Sequence, residues 1–221
     1  MKKLNFALAA LLVAGTANAA VISGDTQPYG PAATDFTALP LTLAGYDGLS
    51  GPLLGVILTL TGHIDTQYSA SNATETEGSL TSAQTTSQMT LFFGATGLVT
   101  AIPVASLTGG AYVVPALSGS TNYGPLATGD NSNFAQFNAP DALVLAFGAG
   151  PVDFTVNSLT NTLFGTSGGN VAGGQSTMGS GTAHVDFIVG STSETPEPAS
   201  MAMLGGGLIG IGLLLRRRTA A

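Results

Sequence analysis

The chain's two histidines are each followed, two positions on, by an aspartate: His63-Ile64-Asp65 and His184-Val185-Asp186. Residues i and i+2 of a β-strand share a face, so each pair sets an imidazole beside a carboxylate. If the two strands were neighbours, four ligands of the kind accepted by zinc and other divalent metals would converge. The same residues also suit the wet faces of amphipathic strands, because the alternating Ile64, Val185, Phe187 and Val189 are the natural core members. The second reading is the expectation, with no metal or cofactor assigned to His63, Asp65, His184 and Asp186.

Other chemistry-bearing patterns are weaker. Gly165-Thr166-Ser167-Gly168-Gly169 matches GxSxG, but a nucleophile elbow needs a helix after the serine, and Asn170-Val171-Ala172-Gly173-Gly174 follows. Asp130-Asn131-Ser132-Asn133 reads as an Asx-rich turn that lacks the full EF-hand pattern. Glu75 and Glu77 would have to act as a glycosidase pair inside a Ser/Thr-rich stretch, where solvated loop charge fits better. Asn72-Ala73-Thr74 is a formal glycosylation sequon. Gly205 to Gly210 satisfies GxGxxG inside an apolar segment with no preceding strand, so it is no dinucleotide site. Gly206 and Gly210 make a GxxxG pair.

Charge placement restricts the partners. The only basic residues among 221 are Lys2, Lys3, Arg216, Arg217 and Arg218, while all twelve carboxylates lie from Asp25 to Glu197. Phosphate recognition rests on lysine and arginine, so the body is not expected to bind nucleic acid or anionic lipid. With no cysteine there is neither a disulfide framework nor a thiolate nucleophile.

The ends read as targeting segments. Lys2 and Lys3, the apolar Leu4 to Gly15, and Ala17-Asn18-Ala19 form a signal peptide over 1–19, with Ala17 and Ala19 framing the cleavage site. The translocon and signal peptidase are its expected partners. At the other end Pro196-Glu197-Pro198 precedes an apolar run, Met201 to Leu215, and then Arg216-Arg217-Arg218. Fifteen helical residues reach about 23 Å, short of the roughly 30 Å hydrocarbon core, and five glycines weaken the helix further. Such an anchor looks temporary, and the arginines hold it with the body outside.

This ordered triplet resembles the PEP-CTERM sorting signal of Gram-negative bacteria, over Pro196 to Ala221. The resemblance implies processing near Pro196, Glu197 and Pro198 by an exosortase, a membrane-embedded enzyme, and delivery to the cell surface or the exopolysaccharide matrix.

Between the ends, residues 20–190 are expected to form an all-β domain, an antiparallel two-sheet sandwich of about eight or nine strands. Residues 191–198 read as a linker and 199–221 as the C-terminal sorting helix with its arginines. Leu53 to Thr61, continued by Ile64, Thr66 and Tyr68, predicts a long bent strand or a hairpin. Further strands are expected at Leu39 to Ala44, Gln88 to Phe93, Leu98 to Ala105, Ala111 to Leu117, Leu143 to Phe147, Val152 to Asn157 and His184 to Val189. Ser69 to Gln88 and Gly165 to Gly181 read as polar connections or edge strands. With no lysine available, Pro103, Pro115 and scattered aspartates are left to guard sheet edges.

Tyr46-Asp47, Gly51, Leu53, Val56, Leu58, Leu60 and Gly62, with Phe147 to Val152 and Ala183 to Val189, resemble the choice-of-anchor E domain. That is an extracellular β-rich module with no catalysis to carry over. The expected function is therefore a non-catalytic surface or matrix protein. The alternative is a module binding exopolysaccharide or divalent cations, with Tyr29, Tyr46, Tyr68, Tyr112 and Tyr123 as candidate contacts.

Overall fold

Alternating burial dominates the chain between its ends. In the computed structural model, which describes residues 19–190, ten strands and one helix follow in the order β1 (Ala19–Ala33), β2 (Leu39–Leu43), β3 (Leu53–Asn72), β4 (Gly78–Phe93), β5 (Thr96–Ala101), β6 (Val104–Ser106), β7 (Tyr112–Val114), β8 (Ser118–Asn138), α1 (Ala142–Ala149), β9 (Val152–Ser167) and β10 (Val171–Gly190). One sheet has the order β1-β10-β3-β8, the other β2-β9-β4-β5, with β6 and β7 also paired to β4. All pairs are antiparallel. This is the expected all-β sandwich.

Strand β3 shows why the sheets face each other. Val56, Leu58, Leu60, Ile64, Tyr68 and Ala70 are buried while Thr59, Thr61, His63 and Asp65 alternate with them, so a period of two gives one dry and one wet face. The candidate bend at Gly62 is absent: β3 runs unbroken for 20 residues. Facing side chains from β9, Phe154 and Val156, and neighbouring ones from β10, Val185 and Phe187, complete the main core with them.

The two long sides of the sandwich are closed by neutral and acidic side chains. At the β1–β2 side, a bulge between Ser23 and Thr26 turns Asp25 toward the other sheet, where its carboxylate accepts hydrogen bonds from Ala44 N, Thr26 N and the Gln27 amide. At the opposite side, Asn131 Oδ1 accepts from Ile102 N (2.9 Å) and Asn133 Nδ2 donates to Thr100 O (3.0 Å). Gly129 lies so close to Val104 O that a Cβ there would collide with it.

Several sequence expectations are corrected. Asp130 to Asn133 is no turn but the middle of β8, paired with Leu60 to His63 of β3, and its alternate asparagines bond to the backbone of Thr100 in β5 and of Ile102 just beyond it. Leu143 to Phe147 is helical: five apolar residues in a row do not distinguish strand from helix. Asp141 caps this helix, accepting from Leu143 N at 2.8 Å, and Gly150 ends it at φ 149°. Of the two alternatives for Ser69 to Gln88 and Gly165 to Gly181 the strand holds for most of each, with short turns at 73–77 and 168–170, and β1 and β8 raise the number of strands to ten. Ile102-Pro103 splits Leu98 to Ala105 into β5 and β6, and Ala111 to Leu117 shortens to β7.

The polar strands hide because their interior is hydroxyl-rich. Toward the β3–β4 and β9–β10 turns, Thr66, Thr85, Ser87, Ser158 and Thr177 are buried and bonded in pairs, Thr66 to Thr177 at 3.1 Å and Ser87 to Ser158 at 2.8 Å. Thr85 and Thr162 share the Gln175 amide oxygen.

Two substitutions should separate core from closure. Phe147 is fully buried against Phe154 and Phe187, so Phe147→Ala should lower unfolding free energy by about 3–5 kcal/mol. Asn131→Ala removes one bond near solvent and should cost about 1 kcal/mol. Urea unfolding of both variants measures the difference.

Candidate functional site

The two histidine–aspartate pairs occupy neighbouring strands and the same outer face, as a shared site requires, but the register separates them. His184 lies opposite Thr59 and His63 opposite Ser180, an offset of four residues or about 13 Å along the strands. The four side chains do not converge. Among the described residues no group of three or more His, Cys, Asp and Glu is placed to hold a metal ion.

Each imidazole instead has its own partners. His63 Nδ1 lies 2.7 Å from Asp130 Oδ1 on β8 and its Nε2 lies 3.2 Å from Asp65 Oδ1. Carboxylates only accept, so satisfying both bonds requires two ring N–H donors, the imidazolium form. The hydrogen bond to Asp130 raises the His63 pKa above its ordinary value, burial opposes this, and the charges of Asp65 and Asp130 add to the rise. In that imidazolium form His63 offers no lone pair to a metal or a substrate proton. Asp130 was not among the sequence candidates for this pairing; its signal was hidden because the partner strand was read as a turn. His184 Nε2 lies 2.9 Å from Asp186 Oδ1, and its Nδ1 lies 2.7 Å from Thr26 Oγ1. A hydroxyl can donate or accept, so Thr26 can serve Nδ1 in either role.

The remaining candidates are placed as follows. Ser167 lies at the β9–β10 turn with its hydroxyl 3.0 Å from Ser79 Oγ; a strand, not a helix, follows it. Asn72 of the sequon is buried, its amide donating to Thr76 O and accepting from Thr74 N, so it organises the β3–β4 turn. Glu75 and Glu77 lie in that turn. Tyr29 and Tyr68 are core residues whose hydroxyls donate to Thr61 O and Ala105 O, with burial raising both pKa values. They are withdrawn as surface contacts. Tyr46 is half-buried on Phe187, and Tyr112 packs on Tyr123.

Two other features escaped the sequence reading. A cavity of about 380 Å³ opens between the β1 bulge and the β2–β3 loop, lined by Asp25, Tyr46, Asp47 and Phe187 among others. Gly24 lets β1 pack closely on β10 beside it, since a Cβ there would meet Phe187 and Val185 O at 2.6 Å. Hydrogen bonds from Gln27 and then Ala44 N hold the Asp25 pKa below its ordinary value. These bonds mark Asp25 as a staple between sheets.

The second feature is a contrast between the two outer faces. The β1-β10-β3-β8 face carries His63, Asp65, Asp130, His184 and Asp186. On the other sheet, Gly78 to Val114 and Thr155 to Ser167 contain no charged residue, leaving Asp153 as that sheet's one carboxylate. There a trough of about 300 Å³ is lined by Thr37, Gln88, Thr90, Phe92, Asn157, Ser158 and Leu159.

The candidate sorting residues Pro196, Glu197, Pro198, Arg216, Arg217 and Arg218, together with Ala17, lie outside the described residues; Ala19 opens β1. Among the described residues no helix is long and apolar enough to cross a membrane.

Comparison with known proteins supplies the class. Residues 194–218 match the PEP-CTERM protein-sorting motif, so the chain carries the signal of an exported protein that is transiently anchored in the membrane and processed by exosortase. The match describes the tail and not the β-body. No curated protein matches the chain. Among solved structures, the VP2 subviral particle of infectious bursal disease virus is similar at 10% identity, over 83% of this chain and 44% of that chain, with a TM-score of 0.19. The Gt strain of the same virus is similar at 10% identity, over 90% and 49%, with a TM-score of 0.11. The chain thus spans less than half the length of these viral chains, and a likeness at these scores bears on neither fold nor function.

The His63 cluster makes a pH prediction. A raised folded-state pKa contributes stability that is fully present below the unfolded value near 6.5 and is lost as pH rises through the folded value. Thermal unfolding at low salt should therefore show a fall above pH 6.5 that His63→Gln flattens. Because the ring is about one-third exposed, the effect should stay below about 1 kcal/mol and shrink in added salt.

Proposed function

We propose that this chain is a non-catalytic β-module of the Gram-negative cell surface or extracellular matrix, delivered there by exosortase, with a body of the choice-of-anchor E kind. The observation that carries the reading is the sorting motif at residues 194–218, joined to a sandwich whose histidines are both engaged in side-chain bonds. The module needs only to stay folded outside the cell without disulfides. Its continuous core, bonded hydroxyl interior and stapled sides support that role.

The experiment is intact-mass analysis of the protein from membrane, surface and culture-matrix fractions of an exosortase-bearing host, with and without the enzyme. A product ending near Pro196 and found outside the cell is expected only when exosortase is present. A full-length tail retained in the membrane in both strains would overturn the sorting reading. The surface or matrix endpoint fails if the processed product stays in the periplasm.

A second reading, binding of a neutral exopolysaccharide, is favoured by the uncharged trough around Phe92. An aromatic ring flanked by the Gln88 and Asn157 amides and the Thr90 hydroxyl offers apolar and hydrogen-bonding contacts to a sugar ring without charge. Affinity electrophoresis of the full chain in gels containing dextran or hydroxyethyl cellulose should show retardation. Phe92→Ala should weaken it about fivefold, equivalent to on the order of 1 kcal/mol. Alginate, a polyanion like the body, should give none. Equal retardation of the variant would remove the trough as the site.

A further inference from the structure

The first and last described residues are register partners: Ala19 lies opposite Gly190 at the margin of the β1–β10 ladder. Both ends of the β-body therefore leave from one pole. That pole also holds the β2–β3 loop and α1, since Gly190 N donates to Pro52 O and Ala139 N to Leu54 O. It presents exposed apolar side chains: Leu49 at 86%, Leu145 at 64%, Val21 at 61% and Leu54 at 38%.

We infer that this pole is a footing that rests on the surface of a zwitterionic lipid bilayer while the C-terminal segment is anchored. The inference rests on the sorting reading, and its first support is reach. Gly190 is followed by ten residues, Ser191 to Ser200, before the apolar run that opens at Met201, and ten residues extend at most about 36 Å. The 20-residue strands make the body about 66 Å long, so with the long axis upright only the exit pole comes near the bilayer.

The second support is how the apolar tips are held. Leu49 projects from a turn whose amide donates to Asp47 Oδ1 at 2.9 Å, and Leu145 projects from the helix capped by Asp141. Both turns keep backbone donors bonded while leaving a leucine outward, the arrangement an interfacial contact needs.

Charge chooses the lipid. The pole has no lysine or arginine, and Asp25, Asp47 and Asp141 lie nearby, so an anionic surface would repel it. Tethering supplies an effective concentration on the order of millimolar, which makes a weak contact sufficient. Exposed leucines also occur at the opposite pole, Leu117 at 66%, and on the uncharged face, Leu163 at 65%; these serve as internal controls.

The chain has no cysteine, so single-cysteine variants of the full chain give unique spin-label sites. Leu49→Cys, Leu145→Cys, Leu117→Cys and Leu163→Cys would be labelled and reconstituted into phosphatidylcholine nanodiscs, and collision with a water-soluble nickel chelate measured. Labels at positions 49 and 145 should be protected several-fold relative to those at 117 and 163. Equal accessibility at all four positions would overturn the footing, as would protection at 163 alone, which would mean a body lying on its side. Failure of the chain to enter the nanodisc would overturn the anchoring itself, and the footing with it. That outcome is distinct because no label would then co-purify with lipid.

Discussion

A slip of one residue between β3 and β10 would turn Leu58, Leu60, Ile64 and Tyr68 out to water and His63 and Asp65 into the core, because side chains alternate with a period of exactly two. That ladder runs from Leu53 opposite Val189 to Asn72 opposite Val171, and most of the molecule's chemistry is a consequence of its register. It places His63 and His184 four residues apart, too far to share a ligand. It sets Gly190 against Pro52, just ahead of β3. It also brings Thr66 against Thr177, where a buried hydroxyl without a partner would be costly.

A body without lysine or arginine must assemble without the usual ion pairs. Its described ion pairs use histidine, and the sides of the sandwich are held by asparagine, aspartate and backbone bonds. Asn131 and Asn133 bond to the backbone of Ile102 and Thr100, at and just beyond the end of β5, while Asp25 joins the β1 bulge to the chain after β2. Stitching of this kind is largely indifferent to salt: exposed ion pairs weaken as salt screens them, whereas bonds between amides and hydroxyls lose little. The same economy of charge leaves one sheet face almost entirely neutral.

How legible this was in the sequence depended on where the core was hydrophobic. Around Val56 to Ile64 and Val152 to Val156 the alternation is apolar against polar, so strand, face and sandwich could be read directly. Around Ala70 to Ser87 the inward residues are Ala, Leu, Thr and Ser, which differ little from the outward Thr, Gln and Ser; a hydroxyl-bonded interior carries no hydropathy signal. Strand β8 was invisible for a related reason, since its central asparagines point at a neighbouring backbone and composition reads them as turn formers. The Asp141 cap was the cue available for α1, and the short apolar run masked it. The histidine–aspartate pairing within each strand was legible because spacing alone decides it, whereas the Asp130 contact required knowing which strand lies beside His63.

The topology also orders the events of export. Strand β1 is an edge strand and β10 its only sheet neighbour, so the N-terminal strand cannot dock until the last strand of the body has arrived. Long-range antiparallel closure of this kind is slow relative to local hairpins, and the β9–β10 hairpin forms from adjacent sequence while β1 waits some 150 residues for its partner. The chain leaving Gly190 toward the sorting segment is thus fixed in place by the same contact that completes the fold. Completion of the β1–β10 ladder sets Ala19 and Gly190 at one pole, so that pole is finished only when the last strand of the body has paired with the first.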